Sequence, residues 1–206
     1  RSQKAFDTME VILVEYQNDT TLAAQNLAAS DEVVQAIQRG DAASMQTVVK
    51  KVIASMRLGV DYVIISDIKG NVLARTHSNK AGDSIYSQKS FSRALSGDTQ
   101  AYTVMTNDIP LGFCAGAPVK DELGNALGVV LAGTSLVNPS FVDRLKSMTG
   151  SEYTVFIGDE RANTTIVKDG QRVVGTKLDP RVAKVVLEER TNYMGEADIL
   201  GAPYAT

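Results

Sequence analysis

The chain has 206 residues, 44% of them hydrophobic, which is enough for one large or two small domains with cores of their own and lies outside the composition of a disordered segment. Its 21 basic and 24 acidic residues leave a net charge of -3 and include no run of like charge, which argues against a nucleic-acid partner. One cysteine, Cys114, rules out an intrachain disulfide, and one histidine, His77, leaves too few soft ligands for an ordinary zinc site, so neither a metal nor a cofactor is expected.

No apolar run approaches the roughly 20 residues needed to span a bilayer. The chain opens on Arg1 rather than Met, without a signal-peptide pattern, which suits a fragment of a longer protein. No Gly or Pro precedes Gly40, and apolar residues recur at Phe6, Met9, Leu13, Tyr16, Ala23 and Leu27 with Thr20 as the interruption. This spacing predicts a helix on the order of 45 Å long, suited to a stalk or a dimer seam. Asp31 and Glu32 are first-turn acids of a second helix that breaks at Gly40, and Met45, Val48, Val49, Val52, Ile53 and Met56 mark a third that ends by Gly59.

The period then changes. Tyr62 to Ile65 and Val72 to Thr76 flank the turn residues Asp67 to Asn71 and predict a β-hairpin. A polar stretch from Ser78 to Ser84 leads into a short helix, Gln88 to Leu95, and then to strands at Ala101 to Met105, Phe113 to Val119 and Ala126 to Thr134. Asn138 as N-cap and Pro139 at the first helical position open a connecting helix with Phe141, Val142 and Leu145 on one face.

After Gly150 the pattern begins again. Glu152 to Ile157 stands where Asp61 to Ile65 stood, Thr164 to Val167 follows as a second strand, Pro180 to Arg190 matches the short helix, and Tyr193 to Leu200 and Pro203 onward match the next two strands. The repeat stops at Thr206 one strand short. An edge left open in this way is a reason to expect more chain in the natural protein.

The phrases DYVIISDIKGNVLARTH, GDSIYSQKSFSRALSGDTQAY and FCAGAPVKDELGNALGVVLAGTSL, on a long entry helix and followed by EYTVFIGDERANTTIVKDGQRVVGTKL, resemble the Cache superfamily. The likeness is to the double-Cache periplasmic domains of methyl-accepting chemotaxis proteins and sensor kinases. It implies an α+β fold: a long N-terminal helix, then a PAS-like unit with an antiparallel five-stranded sheet, then a second, incomplete PAS-like unit. The expected divisions are a helical stalk and dimerisation segment over 1–59, a membrane-distal ligand-binding unit over 60–137, and a connecting helix with a truncated membrane-proximal unit over 138–206.

The resemblance further implies a homodimer through the N-terminal helix, anchorage in the inner membrane by segments outside this chain, and a periplasmic or extracellular position for the module. A small molecule, an amino acid or organic acid, would sit over the first sheet. A cavity there needs apolar walls and a few convergent polar groups. Arg75 and His77 end the second strand, Tyr86, Gln88, Lys89 and Ser90 lie at the loop-helix junction, and Tyr102, Phe113 and Thr134 are candidates for the inner face of the sheet. A carboxylate ligand would use a bidentate Arg or the free N–H groups of the helix start.

Each of these residues also has a purely structural role open to it. Arg75 and Arg93 fit solvated positions, His77 fits a loop, and Tyr86 fits plain packing. Asp159-Glu160-Arg161 and Glu188-Glu189-Arg190 are read as solvated turns rather than acid–base pairs. No phosphate-binding loop, nucleophile elbow or His-Glu-x-x-His motif occurs, so no enzyme is expected. The main reading is the sensing domain of a chemoreceptor. The alternatives are the sensor domain of a histidine kinase or cyclase, or a ligand-free spacer that docks a periplasmic protein.

Overall fold

The computed structural model describes residues 2–56 and 58–206. Arg1, and Arg57 within the expected 1–59 stalk, lie outside the described residues. The chain divides into two compact units, residues 13–135 in one and residues 2–12 with 136–206 in the other. The sequence pattern, by contrast, divides it in three. Helix α1, Ser2–Ala28, contributes to both units, and helices α2, Asp31–Arg39, and α3, Ala42–Met56, belong with the first sheet.

The larger unit holds strands β1 (Tyr62–Asp67), β2 (Val72–Arg75), β3 (Tyr102–Val104), β4 (Gly112–Lys120) and β5 (Ala126–Ser135), with helix α4 (Lys89–Leu95) between β2 and β3. They form one antiparallel sheet in the order β2-β1-β5-β4-β3. The two hairpin turns are built alike. Asp67 Oδ1 accepts from the backbone of Lys69 and Asn71 while Asn71 Nδ2 donates to Oδ2, and Asp121 repeats this with Leu123 and Asn125. Each Asp closes its own turn, which is why the Asp-x-x-Gly-Asn spacing reads so well as a turn.

The strands alternate between two buried faces. One carries Tyr62, Ile64, Cys114, Val129 and Leu131 and packs against Phe91 and Ala94 of α4, with Ile85 and Ile109 from the loops. The other carries Val63, Ile65, Ala115, Ala117, Val130 and Ala132, all buried. Facing it, α1 is tied to the sheet by polar bonds. Thr20 Oγ1 meets Thr134 Oγ1 at 2.7 Å, Gln17 Nε2 donates to Ala101 O at 2.7 Å, and Thr21 Oγ1 accepts from Ala101 N at 3.0 Å. Thr20, which interrupts the apolar spacing of α1, is therefore a contact of the helix with the sheet.

In the smaller unit Asn138 caps helix α5, Pro139–Thr149, by accepting from Ser140 N, and Phe141, Val142 and Leu145 are buried. Strand β6, Thr154–Ile157, pairs with β7, Glu160–Thr164. The second strand thus begins four residues earlier than the sequence reading put it. The connection at Gly158 and Asp159 is shorter than its counterpart in the first hairpin, so Arg161 lies in a strand and is buried, not in a solvated turn. A small hairpin of β8 (Val167–Lys168) and β9 (Gln171–Arg172) follows, which the sequence reading did not separate. The helix over 180–190 is a single α-turn, α6 (Pro180–Ala183), running into a π-helical segment, Lys184–Glu188. Strands β10 (Glu196–Ile199) and β11 (Ala202–Ala205) pair with each other.

The internal repeat extends to hydrogen bonds. Thr76 returns N–H to Val63 O and accepts Val63 N–H on its hydroxyl, and Thr165 does the same with Tyr153. Both first hairpins shift register at the same step, between Ile65 and Ser66 and between Val155 and Phe156.

Candidate functional site

The polar residues at the end of β2 meet in one cluster. Arg75 is buried, and its guanidinium grips Asp83 through two bonds of 2.7 Å while Nη1 also donates to Lys80 O at 2.8 Å. Bidentate pairing of this kind is the strong form of a charge-assisted hydrogen bond. The bonds from Arg75 hold the Asp83 carboxyl down at about 2. Arg75 Nε is buried without a hydrogen-bond partner and lies 3.7 Å from Asp108 Oδ1. Asp108 in turn receives His77 Nε2 at 2.8 Å, and the His77 ring stands edge-on to Tyr62 with centroids 5.3 Å apart.

Tyr62 is fixed by a glycine. A Cβ at Gly133 would run into the Tyr62 ring, so only the bare backbone of β5 lets that ring lie where it does. Burial pushes the Tyr62 phenol far above its ordinary range, and burial likewise raises the Cys114 thiol. Gly116 serves α4 in the same manner, since a Cβ there would press on Ser90 O and Ala94. Ser90 Oγ donates to Cys114 O at 3.3 Å, which seats the helix start on β4.

The residues named from the sequence are therefore distributed unevenly. Arg75 and His77 come together through Asp108. Ser90 lies on the α4 face but bonds Cys114 O rather than either of them, and half-buried Gln88 occupies the N-cap position of α4 without a side-chain cap bond. Tyr102 faces the same side at the edge of the sheet but belongs to another group: its hydroxyl donates to Asp98 at 2.6 Å and the Arg93 guanidinium stacks 3.8 Å from its ring. Arg93 also pairs with Asp98 at 3.0 Å. Lys89 is exposed, 5.9 Å from that ring, and Tyr86 is 69% exposed, tilted against Phe91. Phe113 and Thr134 are cross-strand partners on the opposite face, with the Thr134 hydroxyl taken by Thr20 and by Gly59 O at 2.9 Å. Strand alternation separates them from Arg75, whose partner Ile64 belongs to the α4 face.

Sequence reasoning missed Asp83, Asp108 and Tyr62. The available signal was that a buried Arg demands carboxylates, and both aspartates lie in the loops that flank α4 and β3. A groove of about 890 Å³ lies elsewhere, between the end of α1, α2 and the β4–β5 turn, with Gln25, Asp31, Gln35, Thr99 and Glu122 on its walls and none of the ligand-binding residues expected from the sequence. Among the described residues no group of His, Cys, Asp and Glu side chains is placed to hold a metal ion, and no helix is long and apolar enough to cross a membrane.

Two family models, both for single Cache domain 3, match the sequence, one over residues 8–138 and the other over 134–206. The chain belongs to the single Cache domain 3 family. This Cache module shares its fold with sensor domains of solved structure. The Vibrio cholerae LuxQ periplasmic domain aligns over 99% of this chain and 94% of its own, at 11% identity and a TM-score of 0.63. The Escherichia coli DcuS sensor domain aligns over 66% of this chain and 96% of its own, at 18% identity and a TM-score of 0.52. The ligand-binding domain of the Pseudomonas aeruginosa amino acid chemoreceptor PctB, solved with L-Arg, aligns over 96% and 83%, at 18% identity and a TM-score of 0.50. No curated protein matches the sequence. The Cache fold, with its long helix, five-stranded sheet and further small sheets, agrees with the α+β architecture expected from the sequence.

Proposed function

We propose that this Cache module is the extracytoplasmic sensing part of a transmembrane chemoreceptor and that it binds an amino acid at the polar end of the α4 face. The observation that carries this reading is the pairing of an acceptor and an unused donor. Asp108 and Arg75 Nε lie 3.7 Å apart, too far for a hydrogen bond between them, and the Nε–H group has no other hydrogen-bond partner. An α-amino acid presents an ammonium and a carboxylate at similar spacing, one for Asp108 and the other for Nε–H.

Because Arg75 is buried, entry of the ligand requires the 78–84 loop to lift, and the loop closes again on Asp83. A ligand that binds the closed form better shifts the loop, and with it the sheet and α1, between two arrangements. The receptor works as a homodimer through α1 and is anchored in the inner membrane by segments outside this chain, with the module in the periplasm. Binding and relay are its work, and no chemical step is assigned to it.

A thermal-shift screen of amino acids, organic acids and purines tests the reading, since a ligand of the folded state alone raises the midpoint by mass action. The expected result is a rise with one or more amino acids that disappears in Asp108→Asn. No rise at concentrations far above the micromolar range overturns direct sensing.

A further inference from the structure

Gln46 of α3 reaches across to the end of β2. Its Nε2 donates to Arg75 O at 2.6 Å and to Ser78 O at 3.0 Å. Of the two ends of an amide only the nitrogen can face two carbonyl oxygens, so these partners fix the orientation of the side chain. Arg75 is the residue whose guanidinium holds the covering loop, through Lys80 O and Asp83, and Ser78 is the residue from which that loop sets out. One amide therefore grips both the holder of the loop and its root.

The two halves of the loop are secured differently. The far half is zipped to β2 by backbone bonds, Gly82 N–H to Val72 O and Val72 N–H to Asp83 O, and Ile85 N–H to Gly70 O follows, each at 2.8 Å. Ahead of the loop, Thr76 is fixed to Val63 of β1. Between these anchors Asn79, Lys80 and Ala81 are exposed, and Gly82 stands at φ 83°, in the left-handed region that glycine enters without strain. Among the described residues, two hydrogen bonds hold residues 78–81 to the body of the unit: Arg75 Nη1 to Lys80 O at 2.8 Å, and Gln46 Nε2 to Ser78 O.

We propose that Gln46 is the latch of this lid, a positioning residue through which the seat of α3 sets how often the ligand site opens. The proposal rests on the reading that the loop must lift to admit a ligand to Arg75, and it narrows the moving part to residues 78–81, pivoting at Gly82. Lifting breaks the bond to Ser78 and leaves the one to Arg75 O in place. The latch is carried by a helix whose Met45 and Val49 are buried. A shift of α3 along β2 therefore tightens or releases the lid, and closure of the lid on a ligand favours the seated α3 in return, as linkage between two events requires.

Trypsin cuts after Lys80 when the lid is lifted, and so reads the open population without any ligand. Gln46→Met removes both donors at nearly the same length, and Gln46→Asn is one methylene too short to reach both carbonyls. Each is expected to speed cleavage after Lys80 at least fivefold, about what the net loss of one hydrogen bond gives. Cleavage after Lys69, at the exposed tip of the first hairpin, is the control and is expected to keep its rate. In the unsubstituted chain, solvent exchange of the buried Arg75 Nε–Hε is expected to give the same opening constant as the cleavage, since both need the lid off the guanidinium. The proposal falls if either folded variant is cut after Lys80 at the original rate, or if Lys69 is cut faster by the same factor, which would make Gln46 a general support of the sheet edge. It falls equally if Arg75 Nε–Hε and the Lys80 cleavage give different opening constants, a comparison that needs no substitution. No ligand enters these measurements, so failure of the latch and failure of the amino-acid site are read separately.

Discussion

The guanidinium of Arg75 and the carboxylate of Asp83 face each other in parallel, Nη1 to Oδ1 and Nη2 to Oδ2, both at 2.7 Å. The arrangement ties the end of β2 to the loop that precedes α4, and it buries one partner much more than the other, since Asp83 keeps 32% of its side-chain surface. Removing the carboxylate leaves a buried cation with no bidentate partner and only Asp108, 3.7 Å from Nε, to balance it.

Asp83→Asn is therefore expected to destabilise the larger unit by about 3 kcal/mol, the low end for a broken buried pair because Asp83 is partly solvated. The pH dependence has a definite sign. The folded carboxyl titrates at about 2, below the ordinary value of roughly 3.9, so the pair's contribution is complete above about pH 4 and is lost as the pH falls through about 2. Urea titrations of both chains between about pH 2 and 7 check this. A difference in stability that stays constant over that range would remove the ion pair as its cause.

The close approach of Tyr62 to Gly133 gives a second expectation. Gly133→Ala places a methyl group in the Tyr62 ring and should cost about 2–3 kcal/mol, as overpacking in a filled core does. In a Tyr62→Ala background the same change should be close to neutral, because the obstacle is gone. A double-mutant cycle in urea measures the coupling, and a cycle that closes to zero would place the strain elsewhere.

Thr134→Val keeps the shape of the side chain and removes the hydroxyl that Thr20 and Gly59 O share. A loss of about 1–3 kcal/mol is expected, the cost of leaving buried polar groups unsatisfied. Ligand affinity should not change, because Thr134 looks toward α1. An affinity loss larger than the stability loss explains would return Thr134 to the binding site.

Thr20 and Thr134 show what could be read in advance and what could not. Periodicity gave the helices and all five strands of the first sheet within a residue or two, because apolar spacing, turn chemistry and caps are local signals. Asn138 with Pro139 and the Asp67 and Asp121 turns are such signals. Strand alternation, another local rule, puts the adjacent Cys114 and Phe113 on opposite faces. Which of the two buried faces belongs to α1 and which to α4 is a tertiary fact, so Phe113 and Thr134 were grouped with Arg75 although they lie behind it. The same limit hid Asp83 and Asp108, whose meaning depends on a guanidinium brought to them across loops. Arg161 was missed for a local reason: the second hairpin has a shorter turn than the first, and matching the repeats by composition alone moved β7 four residues too far.

The outward side of α1 carries the last expectation. Val11 and Val14 are 66% and 55% exposed, and Leu22 is also exposed, on a helix of 27 residues whose other side is buried at Thr20, Ala23, Ala24 and Leu27. Three-and-four spacing puts Val11, Val14 and Leu22 near one stripe, and apolar side chains in such a line are what a partner helix covers. A second copy of the chain is the proposed occupant. Val14→Glu adds a charge to the centre of the stripe without touching either face of the sheet, so the fold should survive and self-association should weaken by at least tenfold, roughly 1.4 kcal/mol or more. Sedimentation equilibrium of the two chains at matched concentrations measures this. If the unsubstituted chain is monomeric at high micromolar concentration, or if Val14→Glu dimerises equally well, α1 is not the seam.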